Sequence, residues 1–279
     1  MKLQYLGTAA AEAIPALFCQ CDICRAARRN GGRDIRGRSG AIIDGVLMID
    51  FPPDIYLHVL RHNLDLAKVK NLLITHSHND HFDGQELMMR MPGCYCHITE
   101  GEQVLHVYGN EEVGRLFFEA QRLEFGRTTV DFLTYAQLAP FVPVTVGGYR
   151  VTALPARHKL DEHAYFYLVQ KDGKGLLYAH DTGLFYDEVY DYLARCGGRL
   201  GIVSLDCTSC AGKDGANHMG LPDNLEVLAR LRSQGNVDDA TKCVVNHFSH
   251  NSGMLYEQMC EAARPHGLLV SYDGMVVEG

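Results

Sequence analysis

The feature that most constrains how this chain can fold is a dense group of metal-binding side chains directly after a short apolar run. Residues 72–75 are typical of a buried strand, and Gly84 closes the segment that follows them. The potential ligands in between are His76, His78, Asp80 and His81. On an extended chain His76 and His78 point to the same side, and a turn into a helix at Asp80 and His81 aims the second pair at a neighbouring point. The spacing therefore predicts two adjacent metal ions, one for each pair.

This stretch resembles the signature T-H-x-H-x-D-H of the metallo-β-lactamase superfamily, and the match is complete from Thr75 to His81. The resemblance implies an α/β fold, the αββα sandwich, with a two-metal site at one rim. It also implies a third histidine for the first metal, for which His158 is preferred over the nearby His163. The full set of implied metal ligands is His76, His78, Asp80, His81, His158, the bridging Asp181 and His247.

Composition favours a globular protein with a large core. Hydrophobic residues make up 47% of the 279 positions, which suffices for one large domain or two small ones. No repeat, low-complexity tract or linker interrupts the chain, so we expect a single domain over residues 1–279 with a Cys-rich zinc loop at 19–38. No apolar run reaches membrane-spanning length, and residues 1–7 lack the apolar region of a secretory signal. We therefore expect a cytoplasmic protein that does not act on membranes.

Charge argues against a dedicated nucleic-acid binder. The net charge is −8, so the chain has no general basic field that would attract a polyanion. A local patch remains an open interpretation, because six arginines follow the first cysteines: Arg25, Arg28, Arg29, Arg33, Arg36 and Arg38. They form either a solvated loop or a phosphate-contacting patch, since guanidinium pairs well with phosphate oxygens.

The ten cysteines are more typical of metal ligands and buried thiols than of disulfides. Cys19, Cys21 and Cys24 have the spacing C-x-C-x-x-C, which lets three thiolates converge on one tetrahedral zinc that needs a fourth ligand. Residues 94–97 form a second group of cysteines and a histidine, but they lie in an alternating segment and are predicted to be a strand. For Cys207 and Cys210 we predict a structural role or none.

The remaining pattern alternates strands with helices. Hairpins are predicted around Asp44-Gly45 and around residues 171–174. Further strands are predicted at 149–155, 200–206 and 242–246, and helices at 54–62, 85–91, 111–125 and 221–231. Residues 126–148 give no readable pattern. His180 points away from Asp181 on a regular strand, so we interpret it as structural.

A closer resemblance is to the phosphonate-pathway cyclic phosphodiesterases of the PhnP type. It rests on the N-terminal cysteines with their arginines, on Asp206-Cys207, on Asn217-His218 and on the H-x-S-H motif at 247–250. The resemblance implies that His250 completes a structural zinc site with Cys19, Cys21 and Cys24, and that His218 is a catalytic histidine near the scissile phosphate. This chain departs from the family between about residues 82 and 148, where it is longer, and this region can give the pocket a different shape.

These observations predict a metal-dependent hydrolase, and specifically a phosphoric diester hydrolase. Two divalent ions, zinc or manganese, would hold a bridging hydroxide that attacks a small cyclic phosphodiester. Asp80 and His218 are the predicted catalytic residues. The alternatives are a ribonuclease Z-like nuclease, although no Gly/Pro-rich basic insertion is present, and a protein like pyrroloquinoline quinone biosynthesis protein B. The sequence is compatible with a homodimer but does not specify the oligomeric state.

Overall fold

The computed structural model describes residues 1–101 and 103–279, and within them fourteen strands form two seven-stranded sheets. In chain order the strands are β1 Lys2–Gly7, β2 Gly40–Ile43, β3 Leu47–Ile49, β4 Asn71–Leu73, β5 Leu105–Gly109, β6 Leu133–Gln137, β7 Pro143–Val146, β8 Tyr149–Pro155, β9 Tyr165–Lys171, β10 Lys174–Ala179, β11 Ile202–Asp206, β12 Lys242–Asn246, β13 Leu269–Val270 and β14 Val276–Glu278. The α-helices are α1 Asp22–Asn30, α2 Ile55–His62, α3 Glu111–Phe125, α4 Asp187–Tyr192, α5 Leu221–Ser233 and α6 Tyr256–Ala263. Short 3₁₀ segments lie at Gly32–Asp34, Leu66–Lys68, Glu86–Arg90, His250–Ser252 and Arg264–His266, and a π turn lies at Leu193–Gly197.

The two sheets pack face to face with helices on both outer faces. The first sheet has the order β14-β1-β2-β3-β4-β5-β6 and the second has the order β13-β12-β11-β10-β9-β8-β7. Since side chains alternate between the two faces of a strand, each sheet buries one face against the other sheet, where Tyr5, Tyr149 and Tyr167 lie in a shared core. Phe117 of α3 covers the outer face of the first sheet, and Val227 of α5 covers that of the second. This architecture is the αββα sandwich, so the predicted fold class is confirmed.

The topology brings the predicted ligands to one rim. β3 to β6 run parallel in the first sheet and β10 to β13 run parallel in the second. Carboxyl ends of parallel strands meet at one edge of a sheet, which is where α/β proteins place ligands. The two edges are joined directly, because Tyr165 N donates to Thr75 O at 2.9 Å and the Tyr167 hydroxyl donates to Ile74 O at 2.5 Å.

The best-defined elements have the predicted bounds. The strands at 149–155 and 242–246 and the helix at 111–125 are observed as predicted. For α3 the reason is local: the Asn110 side chain accepts from Val113 N, and Gly126 ends the helix in a left-handed conformation. The first hairpin is also present, but its turn includes Val46 as well as Asp44 and Gly45.

Two local predictions are wrong. Residues 94–97 are not a strand but part of a turn, because Gly93 has a φ of 72° and its N–H donates to Cys96 O at 2.9 Å. Asp80 and His81 do not begin a helix either; they lie in a tight turn in which His81 N donates to His78 O at 3.0 Å. The next helical segment is the 3₁₀ turn Glu86–Arg90, shorter than the predicted helix at 85–91.

The unreadable region 126–148 contains β6 and β7. No helix in the described ranges, residues 1–101 and 103–279, has the length and apolar character needed to span a bilayer. The chain ends lie together, because the Met1 amino group donates to Gly279 O at 3.0 Å. A single domain over residues 1–279 stays a prediction.

His58 of α2 is a fully buried histidine outside the predicted metal ligands. Both of its ring nitrogens lack a hydrogen-bond partner, and a Cβ on Gly7 or Gly37 would approach Nε2 to 2.8 or 2.9 Å. Any larger residue at position 7 or 37 would therefore clash with the His58 ring. Burial lowers the pKa of His58 to about 4, which outweighs the opposing effect of Asp54.

We expect His58 to make the fold sensitive to acid. Its pKa in the folded state lies below the value of about 6.5 in an unfolded chain, so the unfolded state takes up a proton first and stability falls as the pH drops from about 6.5 toward 4. Between pH 7 and pH 4.5 this group should remove about 2–3 kcal/mol from the free energy of unfolding. Urea unfolding of His58→Leu and wild-type protein at both pH values measures the difference. Equal losses in the two proteins would contradict the prediction.

Candidate metal centre

The first donor set consists of His76, His78 and His158. His76 and His78 follow β4, and His158 follows β8. His78 Nδ1 lies 3.0 Å from His76 Nε2 and 3.2 Å from His158 Nε2. The potential ligand atoms of all three lie within 4.8 Å of one another, so they can converge on one ion. His163, the alternative to His158, is instead exposed and pairs with Glu111 at 2.8 Å.

The second donor set consists of Asp80, His81, Asp181 and His247, and all four side chains are buried. His81 Nε2 lies 2.5 Å from Asp181 Oδ2 and 3.2 Å from Asp80 Oδ2, while His247 Nε2 lies 3.3 Å from Asp181 Oδ1. Asp181 also reaches the first donor set, because its Oδ2 lies 3.6 Å from His76 Nε2. The two sets therefore adjoin at this carboxylate.

Backbone strain accompanies this arrangement. Asp181 and His247, which lie just beyond the ends of β10 and β12, have φ angles of 49° and 67°. Left-handed conformations of non-glycine residues cost on the order of 1 kcal/mol or more and concentrate at functional sites. The two turns direct these side chains toward the rim instead of continuing the strands.

The donors fit divalent metal ions. Three buried donor atoms have neighbours at ion-pair distance but no hydrogen bond of suitable geometry, although buried polar atoms normally have one: His81 Nε2, Asp181 Oδ1 and His247 Nε2. The buried carboxylates of Asp80 and Asp181 have only histidines at ion-pair distance in the part of the chain that the structure describes. Imidazole nitrogens and carboxylate oxygens suit zinc, manganese or iron, so the donor type does not select the metal.

Metal binding requires neutral imidazole and ionised carboxylate. His76, His158 and Asp181 favour these forms, whereas His81 favours the imidazolium, from which a metal ion must displace a proton. Burial holds the pKa of His76 well below its ordinary value and also lowers that of His158. Burial would raise the pKa of Asp181, but the imidazoles of His247 and His81 hold it well below its usual range. Burial opposes a charge on His81, but the carboxylates of Asp80, Asp181 and Asp50 raise its pKa well above the ordinary value.

Further side chains fix the donors in place. Asp50, at the end of β3, accepts from His81 Nδ1 at 2.7 Å and from Thr75 N at 2.8 Å. The Thr208 hydroxyl contacts His247 Nδ1 at 2.8 Å. Such outer contacts fix the ring orientation of metal-binding histidines. The sequence analysis missed both residues in this role; Asp50 could have been found as a carboxylate at a strand end, as Asp181 was.

His218, the predicted catalytic histidine, is partly buried and adjoins the second donor set, with its Nδ1 3.4 Å from Asp181 Oδ1. Its ligand atom also lies within 4.8 Å of those of Asp181, Asp206 and His247. Its Nδ1 donates to Asp206 Oδ2 at 3.1 Å, which leaves Nε2 for other contacts, and its ring centroid lies 4.9 Å from that of His158. Burial disfavours the imidazolium form, but Asp206 and then Asp181 raise the pKa of His218 to about 9. Asp206 also accepts from Asp181 N at 3.0 Å, so it contacts both residues.

The thiol set consists of Cys19, Cys21, Cys24 and His250, whose ligand atoms also lie within 4.8 Å of one another. His250 Nδ1 lies 3.4 Å from Cys21 Sγ and 3.6 Å from Cys19 Sγ. Cys21 caps α1, and the backbone N–H of Cys24 is the main cause that lowers the pKa of the Cys21 thiol to about 6. Burial instead raises the pKa of the Cys24 thiol to about 11, so Cys21 is the thiol that favours the thiolate form of a zinc ligand.

Other predicted candidates lie away from these sets. His180 is buried between Ser204 Oγ at 2.7 Å and Asn246 Nδ2 at 3.1 Å, as expected of a structural residue. Cys207 and Cys210 are buried, and burial raises the pKa of both thiols.

The six arginines divide into two groups: Arg36 and Arg38 are engaged within the protein, whereas the others are exposed, namely Arg25, Arg28, Arg29 and Arg33. Arg36 is buried against Phe248 and donates to Ser271 O at 2.8 Å. Arg38 pairs with Asp54 at 2.8 Å, and Arg33 lies over an aromatic ring. Neither a solvated loop nor a free phosphate patch describes Arg36 and Arg38, and both interpretations stay open for the exposed arginines.

The fold and the site together define a class, the metal-dependent hydrolases with the metallo-β-lactamase fold. The sequence profile described as "Beta-lactamase superfamily domain" matches residues 47–248, and the chain belongs to this family. The predicted family is thereby confirmed. No curated protein sequence matches the chain.

Solved structures of the same fold cover the whole chain. A structure described as a new diphosphatase from the PhnP family is 22% identical with a TM-score of 0.74, over 100% of this chain and 97% of that chain. Zn²⁺-bound PqqB from Methylobacterium extorquens is 16% identical with a TM-score of 0.77, over 100% of both chains. The short form of human tRNase Z is 16% identical with a TM-score of 0.67, over 100% of this chain and 99% of that one. At these identities the likeness concerns the fold.

Proposed function

We propose that the protein is a phosphodiesterase that hydrolyses a small, cyclic phosphodiester with two divalent metal ions. The observation that carries the proposal is the pair of donor sets that adjoin at Asp181, with His218 Nδ1 3.4 Å from Asp181 Oδ1. His76, His78 and His158 would hold one ion, and Asp80, His81 and His247 the other, with Asp181 common to both. Bound there, two such ions would supply Lewis acidity and a nucleophile at neutral pH.

His218 is the residue best placed to act as the general acid. An alkoxide is a poor leaving group at neutral pH, and a positioned acid aids its departure by about 10²–10⁴-fold. Asp206 accepts a hydrogen bond from Nδ1–H of His218 and stabilises the charged ring. The Nε2–H group therefore remains for donation to the leaving oxygen. Asp206 thereby orients the acid.

The alternatives fit less well. The net charge of −8 and the internal contacts of Arg36 and Arg38 oppose a tRNA substrate of the kind handled by ribonuclease Z. The complete donor sets favour hydrolysis over the quinone chemistry implied for a protein like PqqB. We further propose a cytoplasmic location, in keeping with ten cysteines that are all free of disulfides. A homodimer stays a prediction.

A substrate panel tests the proposed function. Purified, metal-loaded protein is assayed on cyclic phosphodiesters, linear diesters, diphosphates, lactones, β-lactams and tRNA precursors. We expect the highest kcat/KM on a cyclic phosphodiester. The diphosphates are included because the PhnP-family structure is described as a diphosphatase. Preferential cleavage of a lactone, a β-lactam or a diphosphate would overturn the proposed substrate class.

His218→Ala should show a leaving-group effect. We expect turnover of diesters with alkyl leaving groups to fall by about 10²–10⁴-fold, and that of p-nitrophenyl esters by much less, because p-nitrophenolate leaves without a proton. Steady-state rates on both substrates provide the measurement. The control is His266→Ala, an exposed histidine of the 3₁₀ segment Arg264–His266. Equal losses on both substrates, with metals retained, would show that His218 is not the acid.

A further inference from the structure

Glu162 is a buried carboxylate beside the first donor set. Its side chain is 1% exposed. Oε1 accepts from Ser77 N at 3.1 Å and from the Ser77 hydroxyl at 2.8 Å, and Oε2 accepts from Asn110 Nδ2 at 2.9 Å. Lys159 Nζ lies 3.4 Å from Oε1 and is the nearby counter-charge. A buried carboxylate is tolerated only when hydrogen bonds and opposite charge compensate it, as they do here.

The partners of Glu162 belong to the segments that carry the first donor set. Ser77 stands between His76 and His78, and Glu162 lies in the loop between β8 and β9 that also carries His158. One carboxylate thus joins the two segments that supply all three imidazoles. Nothing comparable is needed for the second donor set, whose His81 and His247 are held by Asp50 and Thr208.

Asn110 fixes this junction from the side of the first sheet. Its Oδ1 accepts from Val113 N as the cap of α3, so the amide cannot turn over without losing the cap. Its Nδ2 donates to Glu162 Oε2 and to His163 O, both at 2.9 Å. Asn110 therefore presents a donor to Glu162 in one fixed orientation.

We propose that Glu162, held by Asn110, is a positioning residue that preorganises the first donor set for its metal ion; the inference rests on the proposed function only in taking the donors as metal ligands. Glu162 itself belongs to neither donor set. It acts by fixing Ser77 relative to the loop of His158. Outer contacts of this kind typically change metal affinity by about 10–100-fold.

The first test measures metal affinity without any substrate. The metal-free protein is titrated with Zn²⁺ against a competing chelator, for wild type, Glu162→Ala and Glu162→Gln. We expect one of the two catalytic equivalents to weaken by about 10–100-fold while the other is unchanged, with glutamine less affected than alanine because its carbonyl can still accept from Ser77. The control is Glu112→Gln, which removes an exposed ion pair with Arg115 on α3, the helix that Asn110 caps. Its metal affinities should match those of wild type.

A second test exchanges the donor and the acceptor. Asn110→Asp keeps an oxygen for the cap of α3 but sets a second carboxylate against Glu162, so it should weaken the same equivalent more than Glu162→Gln does. In the double variant Asn110→Asp with Glu162→Gln, the amide at position 162 can donate to the carboxylate at position 110. The double variant should therefore recover part of the metal affinity that Asn110→Asp loses. A purely structural contact would instead lower the unfolding temperature of the metal-free protein and leave the affinities unchanged. If Glu162→Ala does not fold, the glutamine and exchange variants still decide the question.

Equal weakening of both catalytic equivalents, unchanged affinities in the Glu162 variants, or a double variant no better than Asn110→Asp would each overturn the proposal. Its failure is distinct from failure of the proposed function. Selective metal loss in a protein that cleaves no phosphodiester would retain the positioning role and reject the phosphodiesterase. Phosphodiester cleavage by the wild-type protein, together with unaltered metal affinities in the Glu162 variants, would retain the phosphodiesterase and reject the positioning role.

Discussion

Asp181→Ala is expected to release metal from both donor sets and to abolish hydrolysis. Asp181 faces His81 and His247 of the second set, and its Oδ2 lies 3.6 Å from His76 of the first. Loss of an outer contact alone costs about 10–100-fold in metal affinity, so loss of a ligand common to both sets should exceed that range. Metal content after dialysis and kcat/KM on the best diester provide the measurement.

The matched control for this variant is Asp191→Ala, an exposed aspartate of α4. It should keep full metal content and activity. An Asp181→Ala protein that retains its metals and turns over substrate at the wild-type rate would show that Asp181 does not join the two sets.

Cys21→Ser is expected to cause the largest loss of stability. Cys21 belongs to the thiol set, which joins the N-terminal loop to the segment after β12, because His250 Nδ1 lies 3.4 Å from Cys21 Sγ. A structural metal contributes directly to folding, and its loss should lower the free energy of unfolding by roughly 3–5 kcal/mol. Serine remains a favourable helix cap, so the variant removes the thiolate while it keeps the cap of α1 that Cys21 provides.

Chemical denaturation and zinc content of the variant test this expectation. Cys94→Ser, which changes an exposed thiol, is the control and should leave both quantities unchanged. A chelator should bring the wild-type protein toward the stability of Cys21→Ser and have a smaller effect on the variant. A variant with wild-type stability and undiminished zinc would mean that the thiols do not hold a metal.

The parts of the site that follow a strand could be predicted from the sequence. His76, Asp181 and His247 come just after buried runs, and the apolar pattern of those runs gives both the strand and its end. A superfamily motif then selects among the histidines, as with His158 over His163. The fold class follows from the same alternation of strands and helices.

The outer contacts could not be predicted, because they depend on the packing of segments distant in sequence. Glu162 meets Ser77 across 85 positions and Asn110 across 52, and neither distance leaves a local signal. The predicted strand at 94–97 is wrong for a related reason: Gly93 turns the chain back on itself, so that Cys96 forms an isolated bridge with Pro92. Arg36 was assigned to a surface segment, but it is buried against Phe248.

The most direct test of the central claim is a metal titration of the metal-free protein during hydrolysis of a cyclic phosphodiester. The proposed function predicts that the tight thiol set fills without activity and that the rate then rises as two further equivalents bind. In Asp181→Ala the same titration should give no rise. Hydrolysis that is independent of added metal, or a fully loaded protein that cleaves no phosphodiester, would contradict the account.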